Sequence, residues 1–286
     1  MTHRSGMILM LLAAACIGIQ AYCVKLASEY TGAAEIAFLR SLASYLVVRA
    51  AMAAGWIEIR LVNRRQVFAR GILGGIGSLL YFYAIAATRL SNAMVLLYTY
   101  PIFASLYAQW MQGSAFTVRL LIPLLASFAG IYLIVDPSFD RLIWGDLMGI
   151  ASGITVGGAI VSLKESRKTD SAWTIFHYFN IAGMALSLPL VIGRWTLPPV
   201  ESLGPLAGVV VFSMMGQVWM THAYRYTTTA EGSVLSMFGA VVGSGMGIWL
   251  LSEPATPGFL IGALLVVISG IYLTVRGSEE TSAFKA

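Results

Sequence analysis

The chain has 286 residues, of which 58% are hydrophobic and only 11% are charged, and its mean hydropathy is +0.79. This composition excludes an ordinary soluble globular domain and is typical of an integral membrane protein. The net charge of +5 does not indicate a nucleic-acid partner, because the basic residues stand in short gaps between apolar runs, where they act as topology signals.

Ten apolar runs follow one another along the chain, each close to the roughly 20 residues that a helix needs to cross a bilayer. The first continues to Val24, so it is too long for the apolar core of a secretion signal. The sequence therefore predicts an all-α integral membrane protein with ten transmembrane helices. The predicted spans are residues 7–27, 33–54, 69–87, 92–112, 117–135, 145–163, 173–192, 205–225, 231–251 and 257–275.

The second span carries a charge inside the bilayer. Arg40 lies seven positions after the start of this span, roughly 10 Å along a helix. A charge at this depth is costly, so Arg40 is a candidate structural or gating residue. Three roles stay open: an internal ion pair with Glu35 one turn away, an anchor for the helix end, and binding of a substrate carboxylate.

The third and eighth spans end in clusters of aromatic, amide and hydroxyl side chains. The third ends in YFYAIAA, and the eighth ends in GQVWMTHAYRY. The candidate substrate contacts in these clusters are Tyr81, Tyr83, Gln217, Trp219, His222 and Tyr224. His222 lies near a predicted helix end, where it either couples transport to protons or is a histidine satisfied by hydrogen bonds.

The fourth span contains a proline within LLYTYPIFASLYAQW, residues 96–110. Pro101 has no N–H to bond the carbonyl of Leu97, and in hydrocarbon that carbonyl must find another donor. We therefore expect a bend that opens the backbone toward a cavity.

Two polar stripes run along this span on nearly opposite faces, and only one can line a cavity fully. We favour the stripe of Tyr98, Ser105 and Gln109, because a glutamine that faced lipid would be costly. Tyr100 and Tyr107, on the other face, are then expected to pack between helices or at the membrane interface.

The ninth span has glycines at four-residue spacing within GAVVGSGMG. Gly239, Gly243 and Gly247 would let two helix backbones approach closely, which serves tight packing and also permits one bundle to rock on another. On the same span, Ser236, Met237 and Ser244 are candidate cavity residues.

An internal repeat relates the two halves of the chain. GIYLIV (130–135) and GIYLTV (270–275) recur at an offset of 140, and a shift of 139 aligns Lys25 with Lys164. Five spans per half would orient the copies oppositely, as in the inverted repeats of secondary transporters. The predicted repeats are residues 1–138 and 139–286. Around a central cavity between them, aromatic and amide groups would suit an organic substrate with cationic or planar character.

The distribution of Lys and Arg predicts the orientation. With a cytoplasmic N-terminus, twelve such residues, Arg70 among them, fall on the cytoplasmic side and four on the other. The positive-inside rule therefore places both termini in the cytoplasm. Lys25 and Lys164 would then end equivalent helices on opposite sides, either as helix-end charges or as gating residues.

Three stretches carry a family resemblance: AEIAFLRS (34–41), LLYFYAIAATRLSNAMVLLYTYPIFASLYAQW (79–110) and SEPATPGFLIGALLVVISGIYL (252–273). They resemble the EamA-type branch of the drug/metabolite transporter superfamily, and the resemblance covers essentially the whole chain. In the family's pattern, each half has a proline within a span, followed by a glycine–glutamate pair. Here Gly113 replaces the first glutamate and Val241 replaces the second proline, so we expect the two halves not to be mechanically equivalent.

The resemblance implies a ten-helix secondary transporter that moves a small organic metabolite across a bacterial-type inner membrane by alternating access. We expect export of an amino acid or an amino-acid-derived compound, with metallophores among the candidates. The alternative is uptake or exchange of a nucleoside or a cofactor-type metabolite.

An integral membrane enzyme is the rival class, but the sequence has no HExxH motif, no close acidic pair within a span and no glycine-rich phosphate loop, which such chemistry would need. We therefore expect no catalytic residues, no cofactor and no metal centre. The expected partners are a small-molecule substrate and the lipid bilayer, with no nucleic acid, and the expected state is a monomer or a homodimer.

Overall fold

The computed structural model describes residues 2–88, 90–112, 118–135, 143–193, 195–250, 258, 260–269 and 272, and every regular element in these ranges is a helix. The helices are α1 His3–Ala27, α2 Ala33–Ala53, α3 Arg64–Ala87, α4 Leu90–Leu97, α5 Tyr100–Gln112, α6 Val118–Val135, α7 Trp144–Ser166, α8 Ala172–Val191, α9 Val200–Ala223, α10 Thr229–Ser236, α11 Phe238–Leu250 and α12 Leu260–Ser269.

Seven helical segments among the described residues are long and apolar enough to cross a membrane, namely α1, α2, α3, α7, α8, α9 and the pair α10–α11 taken together. Ile122–Leu133 within α6 and Leu260–Ser269 are shorter apolar helices. Large apolar side chains such as Leu46, Ile72 and Leu125 are exposed on the outer surface, as lipid-facing residues are. An all-helical fold with membrane-spanning helices is thus as predicted, while the number of ten spans stays a prediction.

Local sequence signals start several helices. Thr228 and Glu231 form a capping box at α10, in which each side chain accepts a hydrogen bond from the other residue's backbone N–H, at 3.2 and 2.8 Å. Glu35 accepts a hydrogen bond from the N–H of Gly32 at the start of α2, at 3.1 Å. Such contacts satisfy amides that a helix N-terminus leaves free.

Two helices end next to glycines with a left-handed backbone. Gly55 follows the end of α2 with φ of 74°, and Gly193 follows the end of α8 with φ of 81°. Only glycine adopts this conformation without steric cost, which is why it commonly closes helices.

The predicted fourth span is interrupted at its proline. α4 ends at Leu97 and α5 begins at Tyr100. Thr99 Oγ1 donates to the carbonyl of Leu96 at 2.7 Å, while the N–H of Ile102 bonds the carbonyl of Thr99 at 3.0 Å. The carbonyl of Leu96 thus accepts from the hydroxyl of Thr99 as well as from its N–H, at 3.3 Å, where the helix is interrupted.

The predicted ninth span is interrupted as well, although it lacks a proline. α10 ends at Ser236 and α11 begins at Phe238. The N–H of Met237 bonds the carbonyl of Val234, and that of Ala240 bonds the carbonyl of Met237, at 3.1 and 3.0 Å. These three-residue bonds tighten the backbone locally. The second half therefore has a break without a proline, which the sequence did not predict.

Helices from the two predicted repeats pack against each other. α3 packs on α7, and α1 packs on α9 and α11. A Cβ added at Gly18 would lie 2.5 Å from the carbonyl oxygen of Gly239 and 3.0 Å from the amide nitrogen of Gly243. The predicted close approach at these glycines is therefore present, and α1 is the helix that makes it. Gly247 is buried on the same helix.

Tryptophans mark the ends of the helices. Trp56, Trp110, Trp144 and Trp249 are 82%, 82%, 71% and 85% exposed, and each lies at or just beyond the end of a helix. Amphipathic rings in such positions are typical of an interfacial aromatic belt.

Candidate functional site

A cavity lies between α1, α3, α4, α5, α7, α9 and α10, so its wall combines residues from both predicted repeats. α3 contributes the largest share of the lining, six of the sixteen residues. The lining residues are Ile17, Gln20, Arg70, Gly74, Gly77, Ser78, Tyr81, Phe82, Leu97, Tyr98, Tyr100, Val156, Ile160, Gln217, Met220 and Ser236.

One end of the cavity carries a buried positive charge. Arg70 is 4% exposed, and its Nη2 donates to Oε1 of Gln217 at 2.8 Å. Its guanidinium carbon lies 4.5 Å from the centre of the Phe179 ring, within the range of a cation–π contact. The guanidinium folds back over Gly74, where an added Cβ would collide with Nη1. Gly74 therefore makes room for Arg70.

Arg40 lies behind this end of the cavity and is 2% exposed. It donates to Oγ of Ser213 at 3.0 Å and to Oγ of Ser41 at 3.1 Å, and its guanidinium carbon is 5.0 Å from the Phe179 ring centre. Both arginines thus contact one phenyl ring.

The ion pair considered for Arg40 is not present among the described residues. Glu35 instead accepts hydrogen bonds from the N–H of Thr196 at 3.0 Å and from the start of α2. The carboxylate of Glu35 therefore caps the start of α2. The buried guanidinium of Arg40 contacts serine hydroxyls and aromatic rings instead.

Tyrosine and serine hydroxyls line another part of the cavity. Tyr81, Tyr98 and Tyr100 contribute there, and the hydroxyl of Tyr100 bonds Oγ of Ser236 on α10. The contact joins α5 of the first predicted repeat to α10 of the second.

The expectation that Tyr98 and Tyr100 occupy opposite faces is wrong. It assumed one continuous helix, whereas the interruption between Leu97 and Tyr100 turns both rings to the same cavity, with centroids 6.3 Å apart. Tyr107 is half-buried against the core, as expected. The side chains of Ser105 and Gln109 lie outside the described residues.

We expect Tyr100→Phe to lower the free energy of unfolding by about 1 kcal/mol, because it deletes a hydroxyl that bonds Ser236 across the cavity. Thermal unfolding of the purified chain in detergent measures this. Tyr83→Phe is the matched control, since Tyr83 packs against the core outside the cavity lining. Equal melting temperatures for the two variants would contradict the expectation.

Four predicted candidates from the second half are not among the cavity-lining residues. Trp219 packs against the core. His222 Nδ1 is 3.0 Å from the carbonyl oxygen of Val218 on its own helix. Tyr224 is fully buried, with its hydroxyl 3.4 Å from Oγ of Ser233. Met237 is fully buried at the α10–α11 interruption.

Ser244 is also outside the lining, and its buried Oγ has no hydrogen-bond partner among the described residues. Gln217 does line the cavity, as expected, and holds Arg70 there. Among the predicted candidates with described side chains, the structure thus brings together Tyr81, Tyr98, Gln217 and Ser236.

Sequence reasoning missed Arg70, Gln20 and Ser78. Arg70 was counted with the cytoplasmic cations because it stands at the edge of an apolar run beside other basic residues. A signal was present, since Arg70, Gly74, Gly77 and Ser78 recur at helical spacing with Tyr81, a polar and small stripe on an otherwise apolar helix.

Outside the cavity, Lys25 and Lys164 donate hydrogen bonds to backbone carbonyls at equivalent helix ends. Lys25 Nζ donates to the carbonyls of Ile85, in the last turn of α3, and of Thr88, just beyond it, at 3.2 and 3.3 Å. Lys164 Nζ donates to the carbonyls of Tyr224 and Thr227 at 2.8 and 2.6 Å, beyond the end of α9. The predicted helix-end role is therefore found at both lysines, where a cation complements the helix dipole.

No group of three or more His, Cys, Asp or Glu residues that could hold a metal ion occurs within the described ranges. The polar groups of the cavity are instead one guanidinium, two amides and several hydroxyls. Such groups bind and orient an organic molecule by hydrogen bonding, charge and ring contacts.

The comparisons with known proteins give the class. A model of the EamA-like transporter family matches residues 4–136 and again residues 143–276. The chain belongs to the EamA-like transporter family, which confirms the resemblance to drug/metabolite transporters, and it is a multi-pass transporter of the inner membrane.

Several relatives are similar over long stretches. The pseudopaline exporter CntI of Pseudomonas aeruginosa is 27% identical over 273 residues, which cover 95% of this chain and 96% of that protein. Solute carrier family 35 member G1 of Mus musculus is 25% identical over 231 residues, 75% of this chain and 62% of that protein. One crystal structure matches with a TM-score of 0.69 at 16% identity, covering 90% of this chain and 96% of its own, a likeness that shows the fold alone.

Proposed function

We propose that the chain is a secondary transporter that carries a small organic metabolite by alternating access. The observation that carries this proposal is the cavity, whose wall is built from helices of both predicted repeats. A site between two repeats is where secondary transporters bind their substrates.

We also propose ten spans arranged as two inverted repeats, residues 1–138 and 139–286. Support comes from features that recur at an offset of 138 or 139: the eight-residue helices α4 and α10, the interruptions after them, Gly55 and Gly193, and the lysine pair. In this arrangement Lys25 and Lys164 lie on opposite sides of the membrane, with both termini in the cytoplasm.

The substrate that we favour is an amino acid or an amino-acid-derived compound, and the direction is export. The long match to an exporter of pseudopaline supports the direction. The aromatic and amide groups of the cavity support an organic substrate larger than an inorganic ion.

Counterflow in proteoliposomes tests transport. Vesicles with the purified chain, preloaded with an unlabelled amino acid, should accumulate the labelled compound, and a blocking variant should abolish this. Ser78→Trp is that variant, because Ser78 lines the cavity and an indole there would fill it. Ile72→Trp is the control on the same helix, since Ile72 is exposed on the outer surface.

We expect accumulation with the wild type and with Ile72→Trp, and a loss of at least about tenfold with Ser78→Trp, as expected when a binding site is occluded. Equal rates for the two variants would overturn the cavity as the transport path. A chain that moves none of a broad panel of metabolites, yet chemically modifies a lipid or solute, would show an enzyme instead.

A further inference from the structure

We propose that Arg70 binds a carboxylate of the substrate, so that the transported compound carries a negative charge at the end of the cavity formed by Arg70 and Gln217. This inference rests on the proposed transport function and names the substrate class of the same cavity.

The first argument is charge balance. Arg40 and Arg70 are both buried, and no carboxylate forms a salt bridge with either of them among the described residues. The four most buried carboxylates among the described residues accept hydrogen bonds from other groups. Glu35 accepts from Thr196, Asp146 from Thr88, Asp170 from Val62 and Glu231 from Thr228. A buried charge without a counter-ion is costly, and inside a membrane it marks a functional site.

The second argument concerns the N–H groups of Arg70 that donate to no acceptor in the described protein. A guanidinium has five N–H donors, and the protein accepts from Arg70 at one described contact, Gln217 Oε1. The buried Nε has no hydrogen-bond partner in the described protein. Arginine presents its donors as a planar fork that matches a carboxylate with two parallel bonds.

The third argument is that the guanidinium is held in place before any ligand arrives. Gln217 fixes Nη2, the Phe179 ring supports the planar group, and the bare backbone of Gly74 admits Nη1. The positive charge of Arg40 on the same ring raises the positive potential there. Fixed donors bind at a lower ordering cost than mobile ones.

The other residues that line the cavity indicate the chemical character of the rest of the substrate. Tyr81 is eleven residues after Arg70 on α3, a separation of about 16 Å along a helix. Tyr98, Tyr100 and Phe82 also line the cavity. The substrate is therefore a carboxylate with an organic body that reaches aromatic rings, and of the cationic or planar character expected from the sequence it has the planar one.

Matched compounds that differ only in this charge provide the test. Melting temperatures of the full chain in detergent are measured with N-acetyl-L-phenylalanine, N-acetyl-L-leucine and N-acetyl-L-histidine, and with the carboxamide of each. We expect at least one carboxylate to raise the melting temperature through binding to the folded state, while its amide raises it less at equal concentration. A panel in which no carboxylate exceeds its amide overturns the proposal.

Variants assign the effect to Arg70. Arg70→Gln should keep or raise the melting temperature without ligand, because it removes an uncompensated buried charge, and should lose the carboxylate shift. Gly74→Ala keeps the charge but displaces the guanidinium, so it should weaken the shift. Gly204→Ala, with nothing within 4 Å of the added Cβ, should preserve it.

The outcomes separate this proposal from transport itself. An unchanged carboxylate shift in Arg70→Gln, with a lower melting temperature without ligand, would make Arg70 structural and overturn the inference. Counterflow of a neutral solute at equal rates by wild type and Arg70→Gln would overturn the carboxylate site and leave transport intact. A carboxylate that shifts only the wild type, yet shows no counterflow, would support the site and count against transport.

Discussion

Gly18→Ala is expected to lower the free energy of unfolding by about 3 kcal/mol, near the top of the usual range for an overpacked core. The added Cβ would lie 2.5 Å from the carbonyl oxygen of Gly239 and 3.0 Å from the amide nitrogen of Gly243. Both are backbone atoms, so no side-chain rotation can relieve the collision and α1 must separate from α11. Thermal unfolding in detergent should show a melting temperature several degrees lower.

The control is the same substitution at Gly204, within α9, where an added Cβ meets nothing within 4 Å. Gly204→Ala should change the free energy of unfolding by less than about 1 kcal/mol, because alanine favours a helix over glycine while Pro205 disfavours helical backbone at the residue before it. Similar melting temperatures for Gly18→Ala and Gly204→Ala would show that α1 and α11 do not approach as closely as described.

Lys164→Met should lower the free energy of unfolding by about 2 kcal/mol, the scale of hydrogen bonds made by a charged group. Methionine keeps most of the apolar stem but cannot donate to the carbonyls of Tyr224 and Thr227, which accept at 2.8 and 2.6 Å. The end of α9 then loses two donors and a favourable charge at its dipole.

Lys25→Met should cost less, about 1 kcal/mol, because longer hydrogen bonds are weaker and those of Lys25 measure 3.2 and 3.3 Å. Lys168→Met should change stability by less than about 0.5 kcal/mol, since Lys168 is 62% exposed in a surface ion pair with Glu165. Melting temperatures of the three variants give the order, and a Lys168→Met effect equal to that of Lys164→Met would refute the helix-end role.

The sequence was sufficient for features set by local chemistry. The lengths of the apolar runs predict the membrane helices, and the missing N–H of Pro101 predicts the interruption near Tyr98. The repeat predicts helix-end positions for Lys25 and Lys164, but the carbonyls that each lysine bonds lie 60 and 63 positions later. The membrane helices and the interruption, in contrast, each depend on one segment and its nearest neighbours along the chain.

Other features depend on partners far away in sequence. Arg70 became a cavity residue because Gln217, 147 positions later, and Phe179 hold it inside. The interruption after Ser236 has no proline and rests on three-residue hydrogen bonds. Tyr100 joined the cavity because its helix does not continue α4, so stripes drawn on one uninterrupted helix assigned it to the wrong face.

The exposed tryptophans have a practical consequence for spectroscopy. Four of the seven tryptophans, Trp56, Trp110, Trp144 and Trp249, are at least 71% exposed at helix ends, where they would be surrounded by lipid headgroups. Intrinsic fluorescence of the whole chain therefore reports chiefly on the lipid environment. Replacing these four by phenylalanine would leave an emission in which Trp219, close along α9 to the cavity residues Gln217 and Met220, has the greater weight.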